Sequence, residues 1–184
     1  MDAYSYSNVF DFIAAEFEKV RLSFLIVGGF AVNHYHYTRT TADIDILINE
    51  QDYPKTKPIL EKGGYKEVAF GKLFARFIHD QPAAFMDLDI LFVDPETFKG
   101  ILSESQVMDL NGIKMRVPSL GHLMALKMYA LKNNPAHREN PDLIDLVNLI
   151  RVNGVDVTAG SFRKLCLQYG TQEIYEKLLR SVTR

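Results

Sequence analysis

The chain has 184 residues, of which 47% are hydrophobic and 24% are charged, and it carries a formal net charge of −2. Its length fits one globular domain, or one domain with a small helical appendage. The mildly acidic balance excludes a protein that coats nucleic acid through bulk positive charge, and the single cysteine, Cys166, excludes an intramolecular disulfide and a multi-cysteine metal site.

The start of the chain lacks the basic region and the apolar stretch of a signal peptide. No run approaches the roughly 18 apolar residues that span a bilayer. We therefore expect a cytoplasmic protein that has no membrane partner.

Hydrophobic periodicity divides the first part of the chain into alternating helices and strands. Pro58 lies inside one predicted helix, where it predicts a kink or a later start. The predicted elements are, in chain order, a helix over 9–20, a strand over 22–27, a helix over 30–37, a strand over 42–48 and a helix over 53–62.

The second part of the chain begins with strands and ends with helices alone. Asn111-Gly112 predicts the turn of a small hairpin, and Ser119 is a good N-cap for the first C-terminal helix. The predicted strands cover 65–70, 73–78 and 85–93, and the predicted helices cover 95–102, 120–132, 141–150, 159–168 and 171–181.

This order predicts an α/β or α+β fold in which helices flank a mixed β-sheet. We place a sheet domain at residues 1–117 and a C-terminal helical bundle at residues 118–184. Because a bundle of about 65 residues is marginal alone, we expect it to pack against the sheet as one unit.

The most informative tripeptide is Asp43-Ile44-Asp45, which lies in a predicted strand. Side chains alternate along a strand, so the two carboxylates point to the same face. Their charges repel each other, and a divalent cation such as Mg²⁺ relieves that repulsion. The alternative interpretation is an edge strand with one solvated face.

A second pair of acids, Asp87 and Asp89, repeats this pattern on another apolar strand. If the two strands are neighbours, three or four carboxylates meet on one patch, as they do in a two-metal site. In such a site one ion activates the attacking oxygen, and both ions stabilise the phosphoryl transition state.

Gly28 and Gly29 lie between a predicted strand and a predicted helix. Glycine lets the backbone approach a phosphate closely, and the N-terminal amides of a helix then bind the phosphate. Arg39 and Thr41 directly precede the Asp43 strand, where a guanidinium could hold phosphate or brace the carboxylates.

The series of a strand, Gly28-Gly29, a helix and Arg39-x-Thr41-x-Asp43-Ile44-Asp45 resembles the DNA polymerase β-like nucleotidyltransferase superfamily. It is most similar to small bacterial members, including the abortive-infection type toxin nucleotidyltransferases. Many family members have Gly-Ser where this chain has the glycine pair. The resemblance is specific over residues 25–48 and looser as far as residue 93.

The resemblance extends into the C-terminal helices. The run Pro118–Ala130 looks like the helix of these toxins whose lysine reaches the active site, and that lysine is here Lys127. Arg138 and the following run Asp142–Leu146 resemble the next element of the toxins.

The resemblance implies a role for each matched residue. Asp43 and Asp45 would bind both metal ions, and the third acid would be Asp89 or Asp87, with Asp89 preferred for its hydrophobic neighbours. The implied catalytic residues are Asp43, Asp45, Asp89 and Asp87. The implied metal ligands are Asp43, Asp45 and Asp89. The implied nucleotide-binding residues are Gly28, Gly29, Arg39, Thr41 and Lys127.

The implied activity is that of a metal-dependent nucleotidyltransferase. With two Mg²⁺ ions, or with Mn²⁺, it would move a nucleoside monophosphate from a nucleoside triphosphate such as ATP to a hydroxyl acceptor. The acceptor would be an RNA end, a protein or a small molecule, and an antitoxin would be a further partner if the chain is a toxin. Two alternatives stay open: a non-catalytic nucleotide-binding regulatory module on the same fold, and a metal-dependent phosphohydrolase or nuclease.

Overall fold

A computed structural model describes residues 6–81 and 85–182, and for residues 135–140 it describes the backbone alone. The chain divides into two compact units, of which the first comprises Met1–Ala31 and Thr40–Pro118 and the second comprises Val32–Arg39 and Ser119–Arg184. The segment 32–39, which the sequence analysis placed in the sheet domain, therefore belongs with the C-terminal helices. That the sheet and the helices pack as one unit stays a prediction.

Helices and strands alternate as far as the third strand, and two further strands follow it directly. These elements are α1 (Val9–Lys19), β1 (Leu25–Ile26), α2 (Gly28–His34), β2 (Asp43–Asn49), α3 (Tyr53–Lys62), β3 (Tyr65–Phe70), β4 (Phe74–His79) and β5 (Asp87–Val93). The later elements are α4 (Pro95–Ser103), β6 (Gln106–Leu110), β7 (Ile113–Val117), α5 (Leu120–Asn133), α6 (Pro135–Val152), α7 (Gly160–Tyr169) and α8 (Gln172–Val182).

A five-stranded mixed sheet forms the centre of the first unit, with the strand order β1-β2-β5-β4-β3. β2 and β5 run parallel, and the other neighbouring strands run antiparallel. Alternate apolar side chains of β2 and β5 are fully buried, which fixes the register of both strands. They are Ile44, Ile46, Ile48, Leu88 and Ile90. The predicted α/β fold with a mixed sheet is confirmed.

The remaining strands form a separate hairpin of β6 and β7, whose strand β7 contacts β1. Asn111 and Gly112 make its turn with φ angles of 55° and 89°. Positive φ at both central residues defines the type I′ turn that Asn-Gly favours. The predicted turn is confirmed.

Two helix starts differ from the prediction by two residues or more, one at a glycine and one at a proline. α2 begins at Gly28 instead of Phe30, because a glycine in the left-handed region turns the chain directly from strand to helix. α3 covers Tyr53–Lys62, as predicted, and contains Pro58, so the alternative of a later start is wrong. α6 begins at Pro135, where a missing N–H costs nothing, and the predicted start at Pro141 lies inside it.

The second unit contains α5 to α8. α5 contacts α6 and α7, and α8 contacts α6 and α7. As predicted, Ser119 caps α5, because its side chain accepts a hydrogen bond from the His122 N–H. The helices bury Leu123, Met128, Leu131, Leu146, Leu149, Cys166 and Leu178. None of the helices in the described ranges is long and apolar enough to cross a bilayer.

Candidate active site

The four predicted acids lie side by side on the two central parallel strands. Asp43 of β2 pairs with Asp87 of β5, and Asp45 pairs with Asp89. Between the two pairs, Ile44 and Leu88 are fully buried on the opposite face. Because side chains alternate along a strand, all four carboxylates share one face of the sheet. The prediction that the two acid strands are neighbours is confirmed.

The alternative interpretation of an edge strand is wrong for β2. This strand lies between β1 and β5 and is therefore an internal strand of the sheet. β5 pairs with the whole of β2, whereas β1 pairs with Ile46 and Leu47 and the Val27 N–H adds a bond to the Asp45 carbonyl.

Gly28 lies directly against the carboxylate of Asp45. The Val27 N–H donates to the Asp45 carbonyl at 2.9 Å, which brings the end of β1 next to the acid strand. Gly28 has a φ of +56°, and a Cβ at this position would lie 1.7 Å from Asp45 Oδ2. Only glycine fits such an approach without displacing the acid. The glycine next to it, Gly29, lies in the first turn of α2.

Thr41 contacts the first acid of β2. Its hydroxyl lies 3.2 Å from the Asp43 carbonyl oxygen and 3.3 Å from Asp43 Oδ1. A hydroxyl that donates to a carboxylate helps to fix its orientation. The structure thus brings the predicted residues of the first unit, Gly28, Thr41 and the four aspartates, to one region of the sheet.

Arg76 bridges the two acids of β5 and was not among the residues predicted from the sequence. It lies on β4 directly opposite Asp89. Its Nη1 lies 3.2 Å from Asp89 Oδ2, and its Nη2 lies 3.3 Å from Asp87 Oδ2. The signal in the sequence was a single basic residue between apolar neighbours on the strand that precedes the Asp87 strand along the chain.

The charge of the acids acts on the ionisable groups beside them. The negative charge of Asp89 raises the pKa of the Arg76 guanidinium above its ordinary value, although partial burial opposes the shift. Burial, with a smaller contribution from Asp87, raises the pKa of Tyr65. The Tyr65 hydroxyl donates to the Met86 carbonyl at 3.1 Å, next to the start of the acid strand.

Arg39 and Lys127 belong to the second unit, where they form a charged cluster with two aspartates. Arg39 holds Asp145 through Nε at 2.9 Å and through Nη2 at 3.1 Å. Lys127 Nζ lies 2.7 Å from Asp142 Oδ1 and 2.7 Å from Asp145 Oδ2. The side chain of Lys127 is only 7% exposed, so both carboxylates neutralise it in a nearly dry environment.

The Arg39 backbone is fixed as well. Its N–H donates to Asn33 Oδ1 at 2.9 Å, and its carbonyl accepts from Asn33 Nδ2 at 3.0 Å. The side chain of Arg138, which the resemblance places in the element after the lysine helix, lies outside the described side chains.

Asp43, Asp45, Asp87 and Asp89 together form the acid face of the sheet. The donor chemistry of this acid face fits a divalent metal ion. Carboxylate oxygens are the ligands that Mg²⁺ prefers, and Asp43, Asp45 and Asp89 present them on one face next to the close approach of Gly28. Within residues 6–81 and 85–182, no three Asp, Glu, His or Cys side chains converge as a ready ligand set. Asp87 and Asp89 are both directed to Arg76.

One family model matches nearly the whole chain. The family is described as the nucleotidyl transferase AbiEii toxin of a type IV toxin–antitoxin system, and the match covers residues 11–183. No curated protein is detectably similar in sequence.

Solved structures with a similar fold include several nucleotidyltransferases. The antibiotic-resistance factor ANT(2'')-Ia has a TM-score of 0.57 at 15% identity, over 94% of this chain and 86% of its own. A nucleotidyltransferase-like antigen from Paracoccidioides brasiliensis has a TM-score of 0.56 at 14% identity, over 93% and 88% of the two chains. The lincosamide antibiotic adenylyltransferase LnuA, bound to lincomycin, has a TM-score of 0.53 at 18% identity, over 77% and 94%. These likenesses show a common fold. The family match confirms the predicted resemblance to the nucleotidyltransferase superfamily.

Proposed function

Because the chain belongs to the AbiEii nucleotidyl transferase toxin family, we propose that it is a metal-dependent enzyme that transfers a nucleoside monophosphate from a nucleoside triphosphate to a hydroxyl acceptor. The observation that carries this proposal is the register of β2 and β5, which pairs Asp43 with Asp87 and Asp45 with Asp89. Family membership favours transfer over the two alternatives, a binding module and a phosphohydrolase.

Asp43, Asp45 and Asp89 would hold the metal ions. When bound there, two Mg²⁺ or Mn²⁺ ions would polarise the acceptor oxygen and neutralise the phosphate charge. We assign the third acid to Asp89 because it lies opposite Asp45 and its side chain is 18% exposed, against 32% for Asp87. Asp87 would then serve to hold Arg76.

In this reaction the acceptor oxygen bonds to the α-phosphorus, and the bond from that phosphorus to pyrophosphate breaks. A carboxylate oxygen of Asp89 would accept the proton that the acceptor hydroxyl loses. Thr41 would keep Asp43 in place through its hydroxyl. Gly28 and Gly29 would admit the triphosphate close to the backbone at the start of α2.

We also propose that Arg39 and Lys127 contact the nucleotide, on the condition that its phosphates displace their present partners. Both cations already have carboxylate partners, Asp142 and Asp145. A phosphate would have to compete with these carboxylates for the same N–H groups.

The family description supports a toxin that is paired with an antitoxin.

The direct test incubates the protein with each α-labelled nucleoside triphosphate, Mg²⁺ or Mn²⁺, and total cellular RNA, protein and metabolites. The proposal expects label on one acceptor class and release of pyrophosphate. Asp45→Asn should abolish transfer, whereas the matched control Asp80→Asn, an exposed acid paired with Lys66, should retain it. Release of inorganic phosphate without labelled product would identify a phosphohydrolase, and no turnover of any triphosphate would favour the binding module.

A further inference from the structure

The carboxylates of the acid face already have one cationic partner within the chain. Arg76 lies on β4, the neighbour of β5, directly opposite Asp89. Its two terminal nitrogens contact two different carboxylates, Asp89 at 3.2 Å and Asp87 at 3.3 Å. A planar guanidinium suits this double contact, because its N–H groups diverge at fixed angles.

This double contact has a consequence for the electrostatics of the free protein. Four carboxylates on one face repel each other, and each would favour protonation or a bound cation. The guanidinium supplies a permanent positive charge to the two acids of β5, because arginine stays protonated in proteins. The guanidinium therefore offsets part of the negative charge of this face within the chain itself.

The two contacts of Arg76 differ in what they leave for a metal ion. Asp89 lies opposite Asp45, and it is the less exposed of the two β5 acids. Asp87 lies at the start of β5 and is more exposed. A cation that binds Asp45 and Asp89 must therefore share Asp89 with the guanidinium or displace it, whereas the contact with Asp87 can persist.

We propose that Arg76 is an internal counter-cation that competes with divalent metal ions for Asp89, and that it thereby sets the metal affinity of the acid face. The inference rests on the proposed function, because it requires that metal ions bind these acids. Arg76 acts on the metal site through Asp89 and Asp87, so it is a positioning residue. It makes the site fill only at metal concentrations above those that four bare carboxylates would require.

The test compares wild-type protein with Arg76→Met, which keeps most of the aliphatic length and removes the charge. Binding of Mn²⁺ is followed by electron paramagnetic resonance of the free ion, and competition with Mg²⁺ gives the Mg²⁺ affinity. We expect Arg76→Met to bind about tenfold more tightly, from the loss of two partly exposed charge contacts. In chelator, its melting temperature should fall below that of wild type, and Mg²⁺ should remove most of the difference.

Two further variants separate the competition from simple effects of charge and folding. Lys66→Met removes one positive charge from β3, where Lys66 pairs with the exposed Asp80 at 3.0 Å, and it should leave the metal affinity unchanged. Arg76→Lys keeps the charge but offers one compact ammonium in place of the two-nitrogen fork. Its metal affinity should lie between those of wild type and Arg76→Met, and it tests the proposal even if Arg76→Met does not fold.

The outcomes distinguish this inference from the proposed function. Equal or weaker metal binding by folded Arg76→Met and Arg76→Lys would overturn the competition and leave metal-dependent transfer intact. If wild type and both variants all fail to bind metal ions, the proposed function and the inference are overturned together. In transfer assays the half-saturating Mg²⁺ concentration of Arg76→Met should drop about tenfold, and an unchanged value would contradict the competition.

Discussion

Replacing Gly28 by alanine tests whether the start of α2 is fitted to the acid face. Gly28 has a φ of +56°, and a Cβ there would lie 1.7 Å from Asp45 Oδ2. An alanine in left-handed backbone costs about 1–2 kcal/mol, and displacing a packed neighbour adds about 1–3 kcal/mol. We therefore expect Gly28→Ala to lower the free energy of unfolding by about 2–5 kcal/mol.

The matched control is Gly154→Ala. Gly154 has a similar φ of +62°, but no described heavy atom lies within 4 Å of the corresponding Cβ. Its loss of stability in urea unfolding should be the backbone cost alone, about 1–2 kcal/mol. Mn²⁺ binding should weaken in Gly28→Ala, because the Asp45 carboxylate must move, and stay unchanged in Gly154→Ala. Equal losses of stability and unaltered Mn²⁺ binding in both variants would refute the reasoning.

Two further substitutions and one labelling experiment test separate parts of the molecule. Asp45→Asn should reduce labelled nucleotide transfer by about 10³-fold or more while circular dichroism shows an intact fold, and activity that only follows the folded fraction would mean a structural role. Lys127→Met should lower the free energy of unfolding, measured in urea, by about 3–5 kcal/mol, because it leaves buried carboxylates without this partner. The control is Lys55→Met, which removes an exposed surface ion pair with Asp52. A loss for Lys127→Met no larger than that for Lys55→Met would contradict this prediction. Burial raises the pKa of Cys166 to about 12, so its thiol should stay protonated and unreactive towards a thiol reagent at pH 8 until the protein is unfolded, and fast labelling of the native protein would refute the burial.

The acid strands could be predicted because one physical pattern fixes them. Alternation of Asp43 and Asp45 with isoleucines specifies a strand with one polar face, and the same alternation at Asp87 and Asp89 specifies a second. Burial of the apolar face then directs both acids of each strand to the opposite face. That the two strands are neighbours was a condition of the sequence analysis, and the structure meets it by pairing β2 with β5.

The partner of these acids could not be predicted in the same way. Arg76 contacts Asp87 and Asp89 only because β4 lies next to β5 with Arg76 opposite Asp89. Strand order and antiparallel register are properties of the assembled sheet, and periodicity along one segment does not contain them. The arginine on β4 was therefore visible in the sequence, but its contacts were not.

Lys127 shows a related limit. Its place on an apolar helix stripe was visible, and the resemblance implied a phosphate contact. The structure adds two carboxylates at 2.7 Å, from Asp142 and Asp145, which come from the next helix and depend on how α5 and α6 pack. The start of α6 was missed because Pro135 and Pro141 are equally good first-turn residues in the sequence, and tertiary packing selects between them.

The division of the chain into an interrupted second unit has a consequence for biosynthesis. The segment Val32–Arg39 leaves the ribosome early, but Arg39 binds Asp145, which lies 106 positions later, and the Tyr35 carbonyl accepts a hydrogen bond from Asn153, which lies 118 positions later. Contacts so distant along the chain form slowly, because a long loop must close before they form. During translation, the loop that leads into the Asp43 strand therefore forms these contacts only after the C-terminal helices have been synthesised. A ribosome that stalls before α6 would leave this loop without its contacts to Asp145 and Asn153.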